Sequence, residues 1–321
     1  MINKRKVVRR VMWCWWETFF SLICMAVVLT AVLFLASRII PPHVILGTVR
    51  GGLVISVFAF ALSGVILRYV SGAEIATREE YPLYYEVLDE LMKTKWSFPP
   101  WKTVPTLYIV HIGKKIPNAM AFGPGILWYA YVGITPRLYE MMTTVYESDV
   151  LEADEIEYLR KNFPGILRDA ALMERYMQKR KLKGVIAHEL AHIRCKDVGL
   201  LSLIGIIRGV ASSIGSITEK MGGVPGVAAI ALLLKVVGNF LLPLGTSAMQ
   251  LVREISADSL GSWYIGTPGP LIDGLKTLDA AMTSLRDEQT AAQKFLKDLF
   301  ISHPDTEHRI AYLRALVMKE V

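Results

Sequence analysis

The stretch Gly184 to Cys195, GVIAHELAHIRC, carries two histidines four residues apart with a glutamate directly after the first. On a helix, residues four apart are separated by about 40° around the axis, so His188 and His192 present their imidazoles to one point. That is a metal-binding pair. Glu189 is offset by one residue, which puts its carboxylate beside the metal rather than on it, where it takes a proton from an activated water. Zinc is the natural ion, one per chain, because two imidazoles and a carboxylate with one open position form its hydrolytic coordination set.

A third protein ligand must come from elsewhere. The best source is the stretch Arg253 to Asp258, REISAD, which begins well beyond the histidine pair. Glu254 and Asp258 share a helix face, so one binds the metal while the other orients a ligating histidine. Cys195 competes as a thiolate ligand that would close the site. It lies two turns along the same helix from His188, poorly placed to converge with both histidines, and small buried cysteines are common.

The elements that must position these residues are read from hydropathy and charge. Of 321 residues, 53% are hydrophobic, and the mean hydropathy is +0.38; together these predict a membrane protein. The net charge of +7 is concentrated in two basic runs. Lys4, Arg5, Lys6, Arg9 and Arg10 precede the first apolar segment, and Arg175, Lys179, Arg180, Lys181 and Lys183 precede the histidine motif. Both are read as facing anionic lipid. Without a recognition motif, no nucleic-acid partner is expected. The 3 cysteines do not make a disulfide framework.

The expected fold class is a membrane α+β protein, mostly α-helical, with four transmembrane helices in two hairpins and a cytosolic catalytic domain holding a small β-sheet. Residues 1–17 form a basic cytosolic tail, followed by a first hairpin over 18–70, with Trp13, Trp15 and Trp16 at its near edge. The initial apolar run is too long for a signal-peptide core and predicts a retained anchor. The catalytic domain's first part covers 71–197, with a helix over 81–95 and β-rich runs over 106–112 and 126–134. A second hairpin over 198–252 contains Arg208 and Lys235, and residues 253–321 complete the catalytic domain. Two spans between the histidines and Glu254 would return the chain to the side it left. The basic tail places that side in the cytosol, at the plasma membrane.

With HELAH, REISAD and the apolar segments between and before them, the chain resembles the membrane zinc metallopeptidases of the HtpX type in family M48. The resemblance implies a zincin-like catalytic domain with zinc on His188, His192 and Glu254, Glu189 as general base, and Asp258 supporting a ligand. It also implies protein quality control: zinc-dependent cleavage of unfolded or damaged membrane proteins from the cytosolic side of the bilayer. Pro117 to Gly123 resembles a segment that borders the substrate groove, so Asn118, Ala119, Met120 and Ala121 are candidates to pair with an extended peptide. His303-Pro304 and Arg309 resemble a C-terminal pattern in which His303 donates to the oxyanion and Arg309 braces it. Residues 145–182 look longer than the connection usual before the motif helix. The competing functions are a processing enzyme that trims prenylated C-terminal motifs and a protease-like signal transducer.

Overall fold

The computed structural model describes residues 2–38, 50, 54, 65, 68–69, 71–93, 104–111, 116–122, 130–147, 149–197, 242–284 and 306–317. Along these the chain forms α1 (Lys4–Ala36), β1 (Glu74–Ile75), α2 (Pro82–Lys93), β2 (Thr106–Ile109), β3 (Ala119–Phe122) and β4 (Tyr131–Ile134). Then follow α3 (Pro136–Thr143), α4 (Ala153–Asn162), α5 (Ala170–Arg194), α6 (Leu242–Ile265), α7 (Gly269–Ser284) and α8 (Thr306–Ala315).

The core forms around α5. Helix α2 buries Tyr84, Val87, Leu88 and Leu91, a helical-spacing stripe that meets Leu182, Ile186 and Leu190 of α5 and Leu107, Ile109, Val132 and Ile134 of the sheet. Each such side chain stabilises the fold by roughly 1.5–3 kcal/mol. The Tyr84 hydroxyl keeps a partner in this apolar layer by donating to the Val132 carbonyl at 3.0 Å. From Gly184 to Ala191 every residue of α5 is buried, so the metal motif lies in a helix covered on all sides. Two glycines permit this. A Cβ on Gly184 would lie 2.5 Å from the Pro270 carbonyl oxygen, and one on Gly261 would lie 3.1 Å from the Ala187 carbonyl. The start of α7 and the middle of α6 therefore press directly on the α5 backbone.

The four-stranded sheet has the order β1-β2-β4-β3. Strands β2 and β4, the two β-rich runs predicted from sequence, pair in parallel. β1 joins β2 and β3 joins β4, both antiparallel. The segment around Asn118, read as a groove border between two strands, itself supplies β3, at the sheet's edge. Thr135 anchors its entry. The Thr135 hydroxyl accepts from the Asn118 amide at 3.0 Å and donates to the Ile116 carbonyl at 2.9 Å, and it also caps α3 by accepting from Leu138 N.

The expectation of four transmembrane helices is overturned: among the described residues, no helix is long and apolar enough to cross a membrane. Helix α1 starts inside the basic run rather than at Thr18, and it buries Val7, Cys14 and Thr18. Residues 242–252, expected as the end of the second hairpin, open the same helix that carries Arg253, Glu254 and Asp258. Residues 39–49 and 198–241, with Arg208 and Lys235, lie outside the described residues.

The second basic run is also corrected. Its charges are paired within the protein rather than turned to lipid. Arg175 donates to Glu86 at 2.6 Å, Lys179 to Glu86 at 2.6 Å and to Glu90, and Lys183 to Glu90 at 2.8 Å, so the acidic side of α2 clamps the basic side of α5. Lys181 donates to Asp149 and to the Thr144 carbonyl, both at 2.8 Å. Arg180 forks onto Glu155 at 2.7 and 2.5 Å and reaches Asp273, while the Tyr176 hydroxyl donates to Glu155 at 2.6 Å. The long connection over 145–182 is thereby fastened to α5 and α7. Arg180 is 1% exposed, so Arg180→Met, which strands two carboxylates, is expected to lower stability by about 3–5 kcal/mol. Denaturant midpoints check this, and a loss below about 1 kcal/mol would mean the network carries little of the fold.

Candidate metal centre

Helix α5 begins with Asp169 capping the Ala171 and Leu172 amides and delivers His188 and His192 from its last two turns. Helix α6 crosses it at Gly261 and supplies Glu254. The three side chains converge: His188 Nε2 lies 3.0 Å from His192 Nε2, and the two nitrogens lie 3.3 Å from the Glu254 oxygens Oε2 and Oε1 respectively. Among the described residues, this is the group of histidine, cysteine and acidic side chains able to hold a metal ion. A tetrahedron with metal–ligand bonds of about 2.0 Å has edges of about 3.3 Å, so the spacing of the donors fits such an ion.

Charge balance gives an independent test. Around the three donors the protein gathers four carboxylates, the buried Glu189, Asp197 and Asp258 and the half-buried Glu254, against two buried guanidiniums, Arg253 and Arg309. With these groups ionised and both imidazoles neutral, as metal-bound histidines are, an excess of two negative charges remains, which one divalent cation cancels. Buried charge without a partner is costly, and the donor set and the balance both suit a dication.

Each imidazole is oriented from behind. His188 Nδ1 lies 2.8 Å from Asp258 Oδ1, and His192 Nδ1 lies 2.7 Å from Asp197 Oδ2. Both Nε2 atoms are thus left facing Glu254, the carboxylate–histidine arrangement that fixes a ligand's tautomer and strengthens it as a base. Arg309 of α8 grips Asp258 with two hydrogen bonds, at 2.7 and 2.6 Å, and reaches Glu254 at 3.2 Å. Burial alone would raise the Asp258 carboxyl, but Arg309, and after it His188, outweigh this and hold it at about 2. Burial lowers His192, yet Glu254 and Asp197 raise it well above the usual histidine range, as befits imidazoles set among carboxylates that a cation would otherwise neutralise.

Glu189 is buried beside His188 and lines a cleft with it, Arg309 and Ala119; Leu138, Val185, Leu271 and Leu278 form the apolar wall. The cleft holds about 30 Å³ of free space, room for one or two waters. Of the groove candidates, Ala119, Met120 and Ala121 lie on β3 opposite Ile134, Gly133 and Val132, and Asn118 just precedes the strand. Cys195 is not among the metal-capable donors. It caps the C-terminus of α5, buried, with its thiol pushed up chiefly by burial and next by Asp197, and its carbonyl accepts from Arg253 at 3.0 Å. His303 lies outside the described residues.

Asp197 and the side chain of Arg253 were missed as site residues. Asp197 reaches back to His192 because Lys196 takes a left-handed backbone, φ 57°, just past the helix end. The one signal in the sequence is a carboxylate a turn beyond the second histidine, at the end of HIRCKD.

A helix-borne His-Glu-x-x-His joined by a glutamate from a second helix, beside a water-sized cleft and a strand edge, defines a metallopeptidase. The model of peptidase family M48 matches residues 86–317, and the chain belongs to that family. It is 25% identical over 291 residues to the Protease HtpX homolog of Salinibacter ruber (strain DSM 13855 / M31), covering 84% of this chain and 90% of that protein. It is 28% identical over 275 residues to the Protease HtpX homolog of Gemmatimonas aurantiaca (strain DSM 14586 / JCM 11422 / NBRC 100505 / T-27), covering 79% and 82%. No solved structure matches the chain.

Proposed function

We propose that the protein is a zinc endopeptidase of protein quality control that cuts unfolded or damaged membrane proteins from the cytosolic side of the cell membrane. The observation that carries the reading is the triangle of His188, His192 and Glu254 donors, with edges of 3.0, 3.3 and 3.3 Å. These residues would hold the zinc, which when bound supplies Lewis acidity toward a peptide carbonyl and acidifies water. Glu189 takes the proton from the attacking water and returns it to the leaving amine. Asp258 and Asp197 keep the two imidazoles turned toward the metal, and Arg309 holds Asp258 and Glu254 in place.

The edge position of β3 supports a groove role for Asn118, Ala119, Met120 and Ala121. An extended peptide adds to a strand edge through its backbone, which selects for unfolded chain more than for sequence. The apolar wall of the cleft favours an apolar side chain next to the cut bond. Action at a membrane is supported by α1, which exposes Trp13, Trp16, Phe19 and Phe20 on the helix that carries the first basic run, a composition suited to the lipid interface.

The test is digestion of a permanently unfolded polypeptide by the purified protein. Broad cutting, abolished by a chelator and restored by zinc, is expected. Failure of the zinc-loaded protein to cut would reject the endopeptidase reading, whereas cleavage of one defined substrate alone would replace quality control with specific processing or signalling.

A further inference from the structure

The two histidines are backed in the same way, each by an aspartate held by an arginine, but the two supports end in different places. Behind His188, Asp258 is held by Arg309 of α8. Behind His192, Asp197 is held by Arg253, and Arg253 is held by α1: its guanidinium donates to the Thr18 hydroxyl at 2.7 Å and stacks over the Trp15 ring, 5.4 Å from the centroid. The same guanidinium also donates to the Cys195 carbonyl at 3.0 Å and pairs with Asp197. Thr18, Arg253 and Asp197 are each no more than 3% exposed, so no water competes for these bonds.

We infer that Thr18 and Arg253 are positioning residues for the metal ligand His192, making the first helix part of the support of the metal centre. This rests on the reading of His188, His192 and Glu254 as zinc ligands. A continuous, buried chain of hydrogen bonds runs from Thr18 through Arg253 and Asp197 to His192 Nδ1. The geometry at Lys196 makes the link consequential. Asp197 follows a left-handed residue at a helix end and is buried, so its ion pair with Arg253 fixes where its carboxylate points. Arg253 in turn has one α1 hydroxyl to set its plane. Loss of that hydroxyl leaves the guanidinium held only from its other side, by the Cys195 carbonyl and Asp197, so its plane shifts over Trp15 and carries Asp197, and with it the orientation of His192.

The test measures zinc affinity of the full-length protein by competition with a chromophoric chelator, together with the visible spectrum of the cobalt-substituted form. Asp197→Asn is expected to weaken zinc by about 10- to 100-fold. Thr18→Val is expected to weaken it by about 3- to 10-fold and to alter the cobalt bands, with Thr18→Ser restoring both. In the double variant Thr18→Val/Asp197→Asn, the threonine change should add almost nothing, because the path is already cut; with Asp258→Asn it should add in full. A merely structural role for Thr18 would not make that distinction. Wild-type affinity in Thr18→Val, or losses that add in full with Asp197→Asn, would overturn the inference. If Thr18→Val does not fold, Arg253→Lys, which keeps the charge but not the forked reach, takes its place in the same cycle. A wild-type protein that binds no zinc would instead reject the metal-site reading beneath it.

Discussion

Replacing Glu189 with glutamine is expected to leave zinc bound one per chain and to lower kcat for an unfolded polypeptide by about 10³-fold. The amide keeps the volume and the buried position of the side chain but cannot accept the proton of the attacking water. The metal should stay, because the donors facing the ion are His188, His192 and Glu254 and Glu189 is not among them. KM should change little if the peptide is held along β3 and the apolar wall of the cleft, neither of which the substitution touches. Metal analysis and steady-state kinetics on the same preparation check both halves. Cutting at near the wild-type rate would remove Glu189 from its role, and loss of zinc would show it to be a ligand or a support.

Arg309→Leu is expected to lower stability by about 3–5 kcal/mol in the zinc-free protein. The side chain is 2% exposed and faces two carboxylates at once, gripping Asp258 and touching Glu254. Removing it leaves both negative charges in a water-poor interior, against a total stability of about 5–15 kcal/mol for a typical domain. Zinc should recover part of the loss, since a dication beside Glu254 supplies some of the missing positive charge. Denaturant midpoints with and without zinc measure the effect. A shift below about 1 kcal/mol in the zinc-free form would mean that the site tolerates unbalanced charge and that the charge argument for a dication is wrong.

The parts of the site legible from the sequence are those fixed by helical spacing alone. His188, His192 and Glu189 are related by the pitch of one helix, and Glu254 and Asp258 by that of another, so their faces are known before any tertiary contact. Asp197 was hidden because its return to His192 depends on the backbone of Lys196, which no residue type there announces; a glycine would have. The acidic partners of Arg175, Lys179 and Lys183 lie on α2, around ninety residues earlier in the chain. A local charge run therefore looked lipid-facing when it was half of an interhelix clamp. The membrane spans were misjudged for a related reason. Hydropathy counts apolar side chains without registering the partners of one face: α1 begins in the basic run, and its buried residues Cys14 and Thr18 turn toward α6 and its Arg253. Arg309 was expected as a support of His303, which lies outside the described residues; its guanidinium sits on Asp258 and Glu254. The strand nature of residues 119–122 was missed because AMAF is too short and too poor in β-branched residues to stand out; β4 makes it a strand by pairing with it.

The most direct test of the metal centre is X-ray absorption at the zinc edge on purified wild-type protein with its zinc content measured in parallel. The result predicted is one zinc per chain in a shell of nitrogen and oxygen at about 2.0–2.1 Å, with the outer scattering of two imidazoles and no sulfur. A sulfur contribution at about 2.3 Å would make Cys195 a ligand and the site a closed, structural one, and zinc-free protein that cannot be loaded would contradict the centre altogether.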